Sequence, residues 1–137
     1  MIKTGRINQK SNQQPVLGTE NLHAEQAILY KSLFDHMNDA VVYCKIIYDD
    51  QGNPADFILL DINLAFKRLT HIPEKIVLGK QASQILPILT PNHKVWMQKC
   101  INVAMTGKSL SLEKYGPNID KWLFFNAYRP QKGYFAM

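Results

Sequence analysis

Long apolar runs are missing from this chain of 137 residues. The longest, AVVYC at 40–44 and WLFF at 122–125, fall far short of the roughly eighteen residues that cross a bilayer. The polar N-terminus also lacks the apolar segment of a signal peptide, so a cytoplasmic location is expected and membrane insertion is not. Cysteine is scarce. Cys44 and Cys100 stand far apart with no CxxC pair and no Cys/His ligand spacing, and a setting such as VVYCKII suits a small buried hydrophobe. Basic runs are absent too. Lys3, Arg6 and Lys10 carry much of the net charge of +5, and from Glu20 onward thirteen basic side chains mix with eleven acidic ones. That scatter argues against a phosphate-backbone binder, so nucleic acid is not the expected partner. Finally, there is no glycine-rich phosphate loop, no HExxH, no GxSxG, and no paired carboxylates beyond Asp49 and Asp50, which belong to a turn. No catalytic residues are assigned, and an enzyme is not expected.

What is present reads as a tail, a helix and a compact mixed unit. Residues 1–19 are rich in Asn, Gln, Lys and Ser and have little to bury, which predicts a flexible polar tail. Thr19 suits an N-cap for a helix over 20–37, in which Leu22, Ile28, Leu29, Leu33, Phe34 and Met37 form an apolar stripe at helical steps. That stripe needs a cover, from the same domain or from a second subunit. The remainder, 38–137, opens with a hairpin: β-branched and aromatic runs at 40–48 and 56–62 flank the turn residues DDQGNP. A short helix follows Asn63. The stretch HIPEKIVLGKQASQILPILTP, with three prolines and a glycine, allows only short helical turns. A longer helix runs from Asn92 to about Met105 and stops at Gly107, and strands are expected at 109–116, 121–129 and 133–137. This order predicts an α+β architecture: one five-stranded antiparallel sheet with helices gathered on one face, and a small-ligand cavity between them.

The blocks GNPADFILLDINLAFKRLTHI, VLGK, ILP, TGKSLSLEKY and KWLFFNAYRPQKGYFAM, in that order and spacing, resemble the successive signature stretches of a PAS domain. PAS domains are sensory modules of bacterial signalling proteins such as histidine kinases and diguanylate cyclases, and the resemblance covers about residues 30–137. It implies a sensory role in signal transduction, with a downstream effector and flanking helices that carry the signal. The chain stops within the expected fifth strand, before the Asp-Ile-Thr-like exit motif and linker helix usual in the family. This suggests a sensor separated from its output domain.

Asn63 is read first as a fold residue. Its side-chain oxygen can accept from the backbone N–H of Ala65 or Phe66 and cap the helix that follows. Phe66 and Leu69 should face the sheet as core or cavity wall. His71 stands where the family usually has glycine after LT, and histidine tolerates a left-handed conformation better than most residues. Gly79 keeps the family's glycine, marking a positive φ or a close backbone approach.

Cofactor signals are sparse. Nothing resembles the NCRFLQ motif of flavin-binding relatives, and haem-binding members use a histidine on the long helix, for which His93 is the one candidate. His93 lies in the first turn after Pro91, where a solvated residue is expected. No two histidines share a metal-ligand spacing.

In KWLFFNAYRP, alternation puts Leu123, Phe125 and Ala127 on one side and Trp122, Phe124, Asn126 and Tyr128 on the other. The resemblance implies that the first set faces the cavity. Trp122, Phe124 and Tyr128 would then form an outer apolar patch, to which the stripe of Leu22, Leu29, Leu33 and Phe34 is complementary, and a homodimer is expected. Two function classes stay open. One is a small-molecule sensor with Phe66, Trp96, Cys100, Phe125 and Ala127 as cavity lining and Tyr43 or Asn63 as polar handles. The other is a ligand-free dimerisation or docking module.

Overall fold

The computed structural model describes residues 18–137, so the expected tail lies almost wholly outside the described residues. The chain forms two units, one ending at Ser32 and one running from Leu33 to Met137, and the division falls inside the first helix. That helix, α1 (Thr19–His36), starts one residue earlier than expected: Thr19 is its first residue, and the carbonyl of Gly18 accepts from the N–H of Leu22 at 2.9 Å. Leu22, Ile28, Leu29 and Leu33 are exposed, whereas Phe34 is buried.

Two antiparallel strands, β1 (Val42–Tyr48) and β2 (Pro54–Ile62), follow. Between them Asp49 organises the turn, its carboxylate accepting from the N–H groups of Gln51 and Asn53 at 3.0 and 2.8 Å. The alternation of β1 buries Val42, Cys44 and Ile46. On β2 the rhythm is broken by a bulge: Tyr43 pairs with Asp61 and Cys44 with Leu59, which leaves Leu60 unpaired. The extra residue explains how Leu59 and Ile62, three positions apart, are both buried while Leu60 is exposed.

Short helices α2 (Leu64–Thr70), α3 (Glu74–Val77) and α4 (Ala82–Leu89) lead to the longer α5 (His93–Thr106). The proline-bearing segment forms a single turn, α3, and an eight-residue helix, α4, which is longer than the short turns expected and holds Pro87 near its end. On α5 the buried Trp96, Cys100, Val103 and Ala104 recur at three- and four-residue steps, which lays one apolar stripe against the sheet. Gly107, at φ 75°, ends that helix, and its N–H donates to the carbonyl of Val103 at 2.9 Å.

The last strands are β3 (Leu110–Gly116), β4 (Lys121–Ala127) and β5 (Tyr134–Ala136). The sheet differs from the expected continuous one. It consists of a three-stranded ladder, in the order β2-β1-β5, and the β3-β4 hairpin. A single bridge joins them, in which Tyr128 and Ala136 exchange N–H···O bonds of 3.0 and 2.9 Å. The physical reason lies in RPQKG. Pro130 has no N–H to extend a ladder, and a turn closed by Tyr134 N–H on the carbonyl of Gln131 limits β5 to three residues.

Gly79 covers the far edge of β2. Its N–H donates to the carbonyl of Leu59 at 2.8 Å, and Lys80 accepts from Leu59 at 3.3 Å. Its φ is +71°, and a Cβ there would meet nothing within 4 Å, so glycine is required for its conformation and not for space. Gly79→Ala is therefore expected to lower stability by about 1 kcal/mol without a change of fold. Urea unfolding, with an unchanged slope and a lower midpoint, would show it.

Candidate functional site

Asn63 is fully buried at the end of β2. Its Oδ1 accepts from the N–H of Phe66 at 3.1 Å, capping α2, and from the N–H of Val41 at 2.9 Å. Its Nδ2 donates to the carbonyl of Asp39 at 2.8 Å. One amide thus joins the segment before β1, the end of β2 and the start of α2, and it has little capacity left for a ligand. At the other end of α2, His71 adopts the left-handed conformation at φ 57° and donates its N–H to the carbonyl of Lys67 at 2.9 Å.

So fixed, α2 turns Phe66 and Leu69 toward a cavity of about 160 Å³ between the inner sheet face and the helices. Trp96 of α5 and Phe125 of β4 form a second wall, with ring centroids 4.8 Å apart at 60°. Leu123 and Val42 add aliphatic surface. The lining is mostly apolar, but β3 contributes an exception. The alternation Leu110, Leu112, Lys114 places a lysine on the inward face, directly opposite Leu123 of β4. Its ammonium donates to Thr90 Oγ1 at 2.9 Å and lies 5.6 Å from the centre of the Trp96 ring.

Of the residues singled out from the sequence, Phe66, Trp96 and Phe125 come together at the cavity wall. Cys100 and Ala127 do not line it and lie in the closed core. Tyr43 is on the other side of β1 from Val42 and Cys44, because strand alternation turns it outward, and it stacks on Tyr134 at 5.8 Å. It is no polar handle for the cavity. Nor is Asn63, whose amide is committed to backbone groups. Lys114, Thr90, Thr70 and Asn118, none of which the sequence marks as a site residue, add polar groups to the lining. For Lys114 the signal was present, since alternation alone puts it with two leucines.

On the outer face, Trp122 is 73% and Phe124 64% exposed, and Tyr128 is exposed beside them. Trp122 packs only against the ring of Tyr115 among the described aromatic pairs, at 5.8 Å.

Cys44 and Cys100 are free and buried. Burial pushes the Cys100 thiol up to about 12, and burial, with a smaller contribution from Cys100, holds Cys44 well above the ordinary thiol range. Both should resist a thiol reagent at pH 8 until the protein unfolds. Because the folded pKa values are raised, this contribution to stability is complete below about 9, the ordinary thiol value, and is lost as pH climbs toward about 12. Denaturant midpoints measured across that window should fall for the native protein and fall less for Cys100→Ala.

The residues do not fit haem. His93 is absent from the cavity wall, and about 160 Å³ matches a site for one benzene ring, far short of a porphyrin. His93 is half-buried and not solvated as expected, and its Nδ1 has no hydrogen-bond partner. Among the described residues no group of three or more His, Cys, Asp or Glu side chains is placed to hold a metal, and no helix is long and apolar enough to cross a membrane.

The sequence matches the family model described as PAS domain over residues 28–123, well over half of the chain. No curated protein matches. Among solved structures, a domain of a sensory box sensor histidine kinase/response regulator from Geobacter sulfurreducens aligns with a TM-score of 0.57 at 20% identity, over 87% of this chain and 96% of that one. The PAS domain of an HTR-like protein from Haloarcula marismortui aligns at 0.52 and 12% identity, over 85% and 92%. An RNA-binding Light-Oxygen-Voltage receptor aligns at 0.52 and 15% identity, over 98% of this chain and 35% of its own length. At these identities the structural likenesses speak to fold. With the family match, the α+β order and the cavity between helices and antiparallel sheet, the chain belongs to the PAS domain family, whose members are sensory and regulatory modules.

Proposed function

We propose that this domain senses a small molecule held in the cavity and relays its presence, as a homodimer in the cytoplasm, to an effector such as a histidine kinase or a diguanylate cyclase. The observation that carries the reading is the cavity of about 160 Å³ walled by Phe66, Trp96 and Phe125. An apolar hollow with a few convergent polar groups is the usual form of a ligand site. A ligand acts on signalling only through different affinities for two conformations, and its binding energy sets the limit on the shift.

Native mass spectrometry and an absorbance spectrum of the purified protein test the first step. Extra mass that is lost in Leu123→Trp, a change that fills the cavity, supports a sensor. Unliganded protein that takes up no compound from a small-molecule library would leave the second reading, a ligand-free dimerisation module, and that reading is favoured by the exposed Trp122 and Phe124.

Dimerisation is the part supported by two apolar surfaces in one chain: Leu22, Leu29 and Leu33 on α1, and Trp122, Phe124 and Tyr128 on β4 and just after it. Pairing with a second copy would give each a partner. The double change Trp122→Ser and Phe124→Ser is expected to weaken the dimer about a hundredfold, since aromatic anchors dominate such interfaces. Analytical ultracentrifugation would read it, and a wild-type monomer at micromolar concentration would contradict it.

A further inference from the structure

We propose that the cavity is built for a small monocarboxylate, an acid with one aromatic ring or an equally small aliphatic body, whose carboxylate pairs with Lys114. The proposal deepens the sensor reading and rests on it.

Lys114 is the one charged side chain among the residues that line the cavity. It projects from the inward face of β3, half-buried, at a position where the same strand carries Leu110 and Leu112. Among the described residues no carboxylate pairs with it. Its two partners are the hydroxyl oxygen of Thr90 and the face of Trp96, both uncharged. A single hydrogen bond to Thr90 leaves two ammonium N–H groups available. The ammonium has no counter-ion among the described residues, and a carboxylate arriving from solution would supply one through charge-assisted hydrogen bonds.

The neighbours fit the rest of such a ligand. Thr90 Oγ1 accepts from Lys114, so its own proton is free to donate to the same carboxylate. Trp96 and Phe125 offer ring surface for an aromatic or aliphatic body, and Phe66 and Leu69 close the opposite side. Volume sets the size, because about 160 Å³ accommodates roughly one benzene ring. No acidic side chain lines the cavity to repel an anion or to attract an amine. A neutral ligand of the same shape would gain the apolar contacts and leave the ammonium uncompensated.

The test is calorimetric titration of wild-type protein with benzoate, phenylacetate and hexanoate, each against its own neutral amide, repeated on Lys114→Gln. A thermal melt of the variant reports that it is folded. At least one acid should bind wild-type protein about tenfold or more tightly than its amide, as charge-assisted hydrogen bonds do, and the advantage should shrink to about twofold or less in the variant. Acid and amide binding equally well would overturn the carboxylate proposal and leave the cavity as a site for neutral molecules. An acid preference that persists in Lys114→Gln would overturn the role of this lysine. If no acid and no amide binds wild-type protein at millimolar concentration, the carboxylate proposal falls, whereas the sensor reading falls only when native mass spectrometry shows no bound compound and a wider small-molecule library yields none.

Discussion

Alanine at position 63 is expected to cost about 3 kcal/mol, a large share of the roughly 5–15 kcal/mol that holds a domain of this size together. Two contributions combine. Loss of the cap on α2 is worth about 1 kcal/mol. The remainder comes from the N–H of Val41 and the carbonyl of Asp39, part-buried groups that lose their partner, at the low end of about 1–3 kcal/mol per unsatisfied group. The melting temperature should drop by more than about 10 °C. Asn63→Asp separates the contributions, because a carboxylate keeps the two acceptor bonds and loses the donor to Asp39. At neutral pH its cost should fall between wild type and alanine, and it should shrink as pH falls, because the protonated acid regains a donor for the carbonyl of Asp39. A loss below about 1 kcal/mol for Asn63→Ala would mean that the amide is not the joint between β2 and α2.

Phe135→Ala should be costlier, at about 4 kcal/mol, from the lost ring and the cavity it leaves. Phe135 is 1% exposed and meets Phe57 edge to face at 4.8 Å and 86°, which ties β5 to β2 across the core. Because β5 has three residues, there is little backbone pairing to hold it once the ring is gone. The bridge between Tyr128 and Ala136 depends on the same strand. Trp122→Ala is the control: a larger ring is removed, but at 73% exposure the monomer should lose no more than about 0.5 kcal/mol. Chemical denaturation of the two variants side by side, below the concentration of any dimer, would check the contrast. Equal losses would mean that β5 does not anchor the core.

What could be read from the sequence depended on whether a local rule decided it. The cap by Asn63 and the left-handed turn at His71 follow from which residue types satisfy helix ends, and these need no tertiary information. Helical spacing puts Phe66 and Trp96 on inward faces, and strand alternation groups Phe125 with Leu123 and Ala127, a set that the PAS resemblance implies is turned to the cavity. The same alternation in LSLEKYG puts Lys114 on the face of Leu110 and Leu112. Other features had no local signal. The bulge at Leu60 shifts the phase of β2, and it is set by pairing with β1. Whether Cys100 and Ala127 line a hollow or sit in closed core depends on how α5 and β4 pack, which their own neighbours in sequence do not encode. The split between the two ladders came from a proline and a tight turn visible in RPQKG, but its consequence depends on strand partners far apart in the chain.

The two tryptophans permit one direct test of whether the hollow, and not the outer sheet face, receives the signal. Trp96 stands in the cavity wall and Trp122 on the opposite side of the sheet. Each gives its own indole N–H resonance, assignable by Trp96→Phe and Trp122→Phe. Titration with a bound compound should shift the Trp96 resonance strongly and leave that of Trp122 nearly unmoved at constant protein concentration. A shift confined to Trp122, with Trp96 silent, would contradict the assignment of the cavity as the sensing site.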